Sequence, residues 1–185
     1  MNLQPMVLDY LRERGYGHVT GYMDEADVTA FRSIVERMPQ HFRMVELGSA
    51  FGSSAITFAL LAKDMGKTCD ILCIDMFLIP GSEERFVENT KDFDNITYRA
   101  ESFNVIRFVY DGGPIDLYFD DASHYEIPTY AQLVYWSQYA KNIAVHDYTE
   151  DWKGHVRSVD KFAVERGLNL EQFVESSVVY MENVR

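Results

Sequence analysis

Polar side chains that can bind ligands or transfer protons follow each of five short apolar runs in this sequence. The runs are RMVEL, CDILCIDMF, NITYRA, PIDLYFDD and NIAVHDY. The polar residues at or just past their ends are Glu46, Asp75, Glu101, Ser102, Asp120, Asp121, His146 and Asp147. Because ligands bind outside the carboxyl ends of parallel strands in open sheets, these residues are candidates for one shared site. Singly, each is equally well explained as a helix cap or a solvated strand end.

The first of these strand ends is followed by a glycine turn, in the segment VELGSAFGSSA. Gly48 and Gly52 open a helix, so the backbone can approach a ligand closely and free N–H groups are available to it. Asp75 follows after about 20 residues, the place from which an acid accepts the hydroxyls of a ribose. The spacing is not the G-x-G-x-x-G of dinucleotide sites, and Glu46 would repel a pyrophosphate. The turn therefore favours a cationic or amine-bearing nucleoside over a nicotinamide cofactor.

The elements that must position these residues alternate along the chain. Helical stretches such as SSAITFALLAKDMG and YEIPTYAQLVYWSQYAK separate most of the apolar runs, which predicts βαβ units and a mostly parallel sheet with helices on both faces. After a last helix, HVRSVDKFAVERG, two short runs around LEQFVES and SVVYMEN leave room only for a C-terminal antiparallel hairpin. Residues 1–41 are predicted to form a helical preface, containing PMVLDYLRER and DEADVTAFRSIVERM, with a capping pattern at Asp24 and Asp27.

Composition narrows the class of protein. The chain has 185 residues, enough for one compact α/β domain over residues 1–185, with residues 42–185 as its core. A net charge of -12 argues against a nucleic-acid partner. We expect a cytoplasmic protein without a membrane partner, because no apolar stretch approaches the roughly 18 residues of a membrane span. Cys69 and Cys73 are predicted to be buried, reduced thiols on one face of a strand.

These motifs together resemble a known family, the small class I S-adenosylmethionine-dependent methyltransferases. VELGSAFGSSA is similar to the family's first motif, E-x-G-x-x-x-G, CIDMF to its ribose-binding acid, and AESF to the turn beside the adenine. PIDLYFDDASHYE, NIAVHDY and GHVRSVDKFAVERGL resemble the branch that often reads DGDHSYE and HDY. The resemblance covers about residues 42–185 in the family's order and implies a Rossmann-like methyltransferase sheet.

The resemblance also implies a cofactor, S-adenosylmethionine, and a set of residues around it. Asp120 and Asp121 are alternatives for the family's acid after the fourth strand, and Ser123 stands where the branch has another acid. The remaining residues that the resemblance places at the cofactor are Glu46, Gly48, Ala50, Gly52, Asp75, Met76, Glu101 and Ser102.

Relatives that resemble catechol and sugar O-methyltransferases bind a divalent cation, and by that resemblance Asp121 and Asp147 are candidate ligands for Mg²⁺. The alternative is that these acids cap helices and bind water. His124 and His146 are candidate catalytic bases, because a histidine titrates near neutral pH. The alternative for each histidine is a structural imidazole bonded to a neighbouring carboxylate. His146, next to the candidate ligand Asp147, has a further alternative as a metal ligand or an orienting group.

We therefore expect an enzyme that transfers a methyl group from S-adenosylmethionine to an oxygen, in preference to a nitrogen, of a small-molecule or sugar-like acceptor. A non-catalytic binding or regulatory protein with the same fold is the alternative, and a nicotinamide-dependent oxidoreductase is a third hypothesis. Exposed apolar surface on the first two helices is expected to serve as a lid or as the contact of a homodimer. Aromatic residues after the fourth and fifth strands suggest a substrate pocket, although a stripe at helical spacing is more often core; they are Tyr125, Tyr130, Tyr135, Trp136, Tyr139 and Tyr148.

Overall fold

The computed structural model describes residues 5–102 and 108–183, and within these ranges it contains a seven-stranded sheet with helices on both faces. The strands are β1 (His41–Leu47), β2 (Thr68–Asp75), β3 (Ile96–Ala100), β4 (Ile115–Asp120), β5 (Ala140–Val145), β6 (Leu170–Gln172) and β7 (Val179–Glu182). The helices are α1 (Asp9–Arg12), α2 (Glu25–Arg37), α3 (Ser53–Asp64), α4 (Ser82–Thr90), α5 (Glu126–Trp136) and α6 (Lys153–Arg166). A 3-10 turn, Glu150–Trp152, precedes α6.

The strand order confirms the predicted α/β sheet. It runs β3-β2-β1-β4-β5-β7-β6, with β1 to β5 parallel and β7 antiparallel to both β5 and β6. Leu47 at the end of β1 pairs with Ile74 of β2 and with Asp120 of β4, and Asp120 pairs with Val145 of β5. Four strands thus end side by side, which brings the polar residues that follow them to one edge of the sheet.

One face of the sheet is covered by α2 and α3. The rings of Phe31 in α2, Phe58 in α3 and Phe119 in β4 pack together, with centroids 4.3 Å apart for Phe31 and Phe58 and 5.2 Å apart for Phe31 and Phe119. The apolar stripe of α2 is therefore buried, so the expectation of exposed apolar surface on this helix is wrong, while the homodimer stays a prediction. Cys69 and Cys73 are buried on the same side as unpaired thiols, as predicted.

The opposite face is covered by α5 and α6 around Trp136. Its indole stacks on Tyr118 of β4 at 5.5 Å and contacts the rings of Tyr135 and Tyr139 at 5.3 and 6.1 Å. Tyr125, by contrast, is 77% exposed at the start of α5. Apart from Tyr125, the aromatic residues at helical spacing therefore pack into the core around Trp136.

The N-terminal segment departs most from the prediction. The helix expected over PMVLDYLRER shrinks to the four residues of α1, because Met6 is engaged in a two-residue backbone bridge with Gly21 and Gly15 adopts a φ of 88°. Gly21 in turn lies directly against the start of α3, where an added Cβ would come 1.9 Å from the Ser53 hydroxyl oxygen. The segment before α2 therefore packs beside the glycine turn. Helix α4 is an element that the sequence motifs do not single out.

The described residues contain no helix that combines the length and the apolar character needed to cross a membrane.

Gly48 lies where the chain leaving β1 passes the end of β4. Its φ is 84°, and a Cβ at this position would stand 2.2 Å from the Asp121 carbonyl oxygen and 2.7 Å from the Ala122 Cα. Backbone atoms cannot retreat as a flexible side chain does, so this approach requires glycine.

We expect Gly48→Ala to lower the free energy of unfolding by about 3 kcal/mol or more, since it adds a backbone collision to the cost of a left-handed conformation. Gly66→Ala is the matched control: its φ is 67° but nothing lies within 4 Å of its added Cβ. The control should lose only about 1 kcal/mol. Urea unfolding of both variants measures the difference, and equal losses would contradict the close approach at Gly48.

Candidate functional site

The glycine turn after β1 is held against Asp75 at the end of β2. The backbone N–H of Ala50 donates to Asp75 Oδ2 at 2.8 Å, and the N–H of Phe77 donates to Asp75 Oδ1 at 2.5 Å. Gly48, Ala50 and Gly52 all have positive φ values, of 84°, 44° and 83°. For Ala50 this conformation is strained, and the bond to Asp75 offsets part of its cost. Each Asp75 oxygen keeps a second lone pair for a further donor.

Glu46 lies beneath this turn and is completely buried. Its carboxyl group accepts a hydrogen bond from the Ser54 hydroxyl of α3 and a weaker one from the Cys73 thiol at 3.3 Å. Burial raises the pKa of Glu46 to about 7, and the hydrogen bonds from Ser54 and Cys73 offset only part of that rise. The carboxyl group therefore takes up a proton easily near neutral pH. A cation brought beside it would favour the ionised form.

The two consecutive acids at the end of β4, Asp120 and Asp121, point to different sides of the sheet and have different partners. Asp120 faces the α5 and α6 side, where the Tyr118 hydroxyl donates to Oδ2 at 2.8 Å and the Ala122 N–H donates to Oδ1 at 3.3 Å. Burial raises the pKa of Asp120 to about 7. Asp121 instead accepts from His146, with 3.0 Å between Oδ1 and the His146 Nδ1 atom. Asp121 is thus the acid that meets the end of β5.

His146 is buried between two carboxyl groups. Its Nδ1 faces Asp121 and its Nε2 lies 3.1 Å from Asp27 Oδ2 in α2, with only 1% of the residue exposed. Burial lowers the pKa of His146, but the charge and hydrogen bonds of Asp121, Asp147 and Asp27 outweigh burial and raise it well above the ordinary value. Carboxyl groups at both ring nitrogens thus favour the protonated form of the imidazole. In this arrangement neither nitrogen is open to a substrate.

Asp27, His146 and Asp121 form a line of buried hydrogen-bonded groups, the His146 line. Asp27 was not among the predicted site residues. Its Oδ1 accepts from the Ser176 hydroxyl at 2.8 Å and from the Ser177 N–H at 3.2 Å, in the turn before β7. The predicted capping pattern is present as well, since the Asp24 N–H donates to Asp27 Oδ2. The cap was the only signal for Asp27 in the sequence, because His146 is 119 positions away.

His124 and Asp147 form a second, more open pair beside this line. His124 Nε2 lies 2.7 Å from Asp147 Oδ2, and the imidazole stacks on the Trp152 ring at 4.3 Å. Burial lowers the pKa of His124, but the bond to Asp147 and the nearby carboxylates raise it above the ordinary value. Burial raises the pKa of Asp147, yet both histidines outweigh that effect and hold it well below its usual range. Asp147 has a φ of 57°, an unusual conformation that aims its carboxylate back toward β4.

Asp121, His124 and Asp147 each offer one ligand atom to a common point, with these atoms within 4.8 Å of one another. The two predicted cation ligands, Asp121 and Asp147, are therefore brought together. Hard carboxylate oxygens suit Mg²⁺, whereas an imidazole nitrogen is a ligand that Zn²⁺ or Fe²⁺ prefers. Asp121 and Asp147 therefore offer the oxygens that Mg²⁺ prefers, but each already bonds to a histidine, and the metal stays a prediction. His124 is the weaker of the three ligands for it.

The remaining predicted residues flank Asp75. Met76 is 39% exposed directly after β2. Glu101 follows β3, where its N–H donates to the Asp75 carbonyl oxygen at 3.0 Å, and both Glu101 and Ser102 are exposed. The candidate site thus has two halves: the glycine turn with Asp75, and the histidines with Asp121 and Asp147.

The model of a family described as a methyltransferase domain matches residues 45–148, which contain both halves of the site. No curated protein shows significant sequence similarity to the chain.

Solved structures share the fold. An S-adenosylhomocysteine-bound methyltransferase from Podospora anserina is 16% identical, with a TM-score of 0.66 over 98% of this chain and 90% of that one. A precorrin-6y C5,15-methyltransferase from Geobacter metallireducens is 17% identical, with a TM-score of 0.63 over 85% of this chain and 86% of that one. Fibrillarin from Aeropyrum pernix, with bound S-adenosylmethionine, is 15% identical, with a TM-score of 0.56 over 83% and 73%.

At these identities the solved structures show a common Rossmann-like methyltransferase fold, and the family model covers more than half of the sequence. The chain therefore belongs to the methyltransferase domain family.

Proposed function

We propose that this protein transfers a methyl group from S-adenosylmethionine to an oxygen, in preference to a nitrogen, of a small-molecule acceptor. The observation that carries the proposal is the turn of Gly48, Ala50 and Gly52 bound to the carboxylate of Asp75. That arrangement offers close backbone approach and an acid with free lone pairs, which an adenosine with its ribose hydroxyls requires. Methyltransferases of similar fold carry S-adenosylmethionine or S-adenosylhomocysteine, which supports this choice of cofactor.

The cofactor's two ends fit the two acids of this half-site differently. Asp75, half-buried and already accepting two N–H bonds, suits the ribose hydroxyls. Glu46, buried and easily protonated, suits the ammonium of the methionine part, which would hold it ionised. Met76, Glu101 and Ser102 are assigned to the adenosine side of the cofactor. Asp120 is bonded to the Tyr118 hydroxyl, so Asp121 is the acid after β4 that we assign to the side of the transferred methyl group.

The acceptor is assigned to the second half. His124 is the proposed base, because it is partly exposed, stacked on Trp152 and held by Asp147. His146, closed between Asp27 and Asp121, is a positioning residue. If Mg²⁺ binds, Asp121 and Asp147 would hold it, and its chemistry would be to lower the pKa of an acceptor hydroxyl. The net charge of -12 supports a small-molecule acceptor over a nucleic acid.

Asp75→Asn should weaken S-adenosylhomocysteine binding roughly 10- to 100-fold, because hydrogen bonds to a charged acceptor are lost. Isothermal titration measures this. Asp70→Asn is the matched control, since Asp70 lies on the same strand, is exposed and pairs with His41. Equal affinities for the Asp75 and Asp70 variants would contradict the ribose assignment.

Binding of S-adenosylhomocysteine at about pH 6.5 should release roughly half a proton or more from Glu46, whose pKa is about 7 in the free protein. The ligand's ammonium would lower that pKa. Titration calorimetry in two buffers of different ionisation enthalpy measures the release. It should vanish in Glu46→Gln and at about pH 8.5, where Glu46 is already ionised. Equal release from Glu46→Gln would contradict the contact.

Turnover separates an enzyme from a binding protein of the same fold. Across a panel of phenolic, sugar and amine acceptors, formation of S-adenosylhomocysteine should occur and should fall about 100-fold or more in His124→Gln, while cofactor affinity is retained. His41→Gln is the control, because His41 is exposed at the opposite end of β1. Cofactor binding without turnover on any acceptor would favour the non-catalytic alternative.

A further inference from the structure

A cavity of about 330 Å³ opens beside the acceptor half of the site. It lies between the N-terminal segment, the start of α2, the end of β5 and the 3-10 turn before α6. Its lining residues are Met6, Tyr22, Met23, Asp24, Asp27, Asp147, Thr149, Asp151, Trp152 and Ser177. Small-molecule sites range from about 300 to 1,000 Å³, so the cavity holds a compact molecule.

Two contacts connect this cavity to the proposed reaction centre. Asp147 lines it and is bonded to His124, whose ring stacks on Trp152 in the cavity wall. On the other side, the Tyr22 ring stacks at 6.1 Å on Phe51, which lies in the glycine turn directly before Gly52. A molecule in the cavity would therefore lie between the proposed base and the proposed cofactor site.

The lining has a definite chemical character. Its carboxyl groups belong to four aspartates, and it includes neither lysine nor arginine. Three of these aspartates already have partners, since Asp27 pairs with His146, Asp147 pairs with His124, and Asp24 caps α2. Asp151 is exposed at the cavity mouth. Tyr22 and Trp152 supply aromatic faces, and Met6 and Met23 supply apolar surface. Aromatic faces attract organic cations, and carboxylates repel anions.

We propose that this cavity is the acceptor subsite and that it selects a compact, apolar or aromatic molecule bearing a cationic amine. The aromatic walls hold the body of the molecule, Asp151 at the mouth attracts the amine, and the lining, which has acids but neither lysine nor arginine, excludes carboxylates and phosphates. The assignment of the cavity to the acceptor rests on the proposed function, whereas its preference for a cation does not. Tyr22, Met6 and Met23 give the N-terminal segment a role in specificity.

The test compares two probes of nearly equal shape and opposite charge, phenethylamine and 3-phenylpropionate. Their binding to the full chain is measured by ligand-observed NMR, with and without S-adenosylhomocysteine. We expect phenethylamine to bind at least about tenfold more tightly. Asp151→Asn should weaken the amine about three- to tenfold, whereas Asp92→Asn, an exposed acid outside the cavity with the same charge change, should have no effect.

Equal binding of the two probes, tighter binding of the carboxylate, or equal effects of the Asp151 and Asp92 variants would overturn the proposal. Because neither probe needs to be methylated, these results are independent of turnover. Selective amine binding without any binding of S-adenosylhomocysteine would leave the cation subsite supported and refute the proposed function instead.

Discussion

The placement of His146 between the carboxyl groups of Asp27 and Asp121, which raise the pKa of its imidazole, is the constraint on which the site depends. The line joins α2, the end of β5 and the end of β4, and Asp27 extends it to the turn before β7 through Ser176. Buried charges are tolerated only when paired, and removing one partner of such a pair typically costs about 3–5 kcal/mol. Helix α2 is therefore fixed to the edge that carries the candidate site by electrostatics as well as by its apolar face.

The same edge keeps its acids in two different protonation regimes. Glu46 is surrounded by thiol and hydroxyl groups, so burial dominates and its pKa rises to about 7. Asp147 faces two histidines, and its pKa falls far below the usual range although it too is largely buried. One half of the edge thus holds a carboxyl group that takes up a proton easily near neutral pH. The other half holds a carboxyl group that two histidines keep in its ionised form.

Sequence patterns sufficed for the parallel sheet, the C-terminal hairpin and the cap of α2, because each depends on local periodicity and short connections. They also identified every strand-end acid that the structure gathers at one edge. They could not choose between Asp120 and Asp121, since that depends on which side chain the Tyr118 hydroxyl takes. Asp27 and Tyr22 were missed because their contacts with His146 and Phe51 are tertiary and leave no local signal. The predicted length of the first helix was wrong for the same reason, because the backbone bridge between Met6 and Gly21 overrides the helical pattern of the sequence.

A crystal structure of the protein grown with S-adenosylhomocysteine tests the central claim most directly. We predict the ribose hydroxyls within hydrogen-bond distance of Asp75, the methionine part against Gly48 with its ammonium beside Glu46, and the sulfur facing the cavity lined by Tyr22 and Trp152. Electron density for the ligand at any other place, or an Asp75 carboxylate that contacts only Ala50 and Phe77 while the ligand is bound elsewhere, would contradict it.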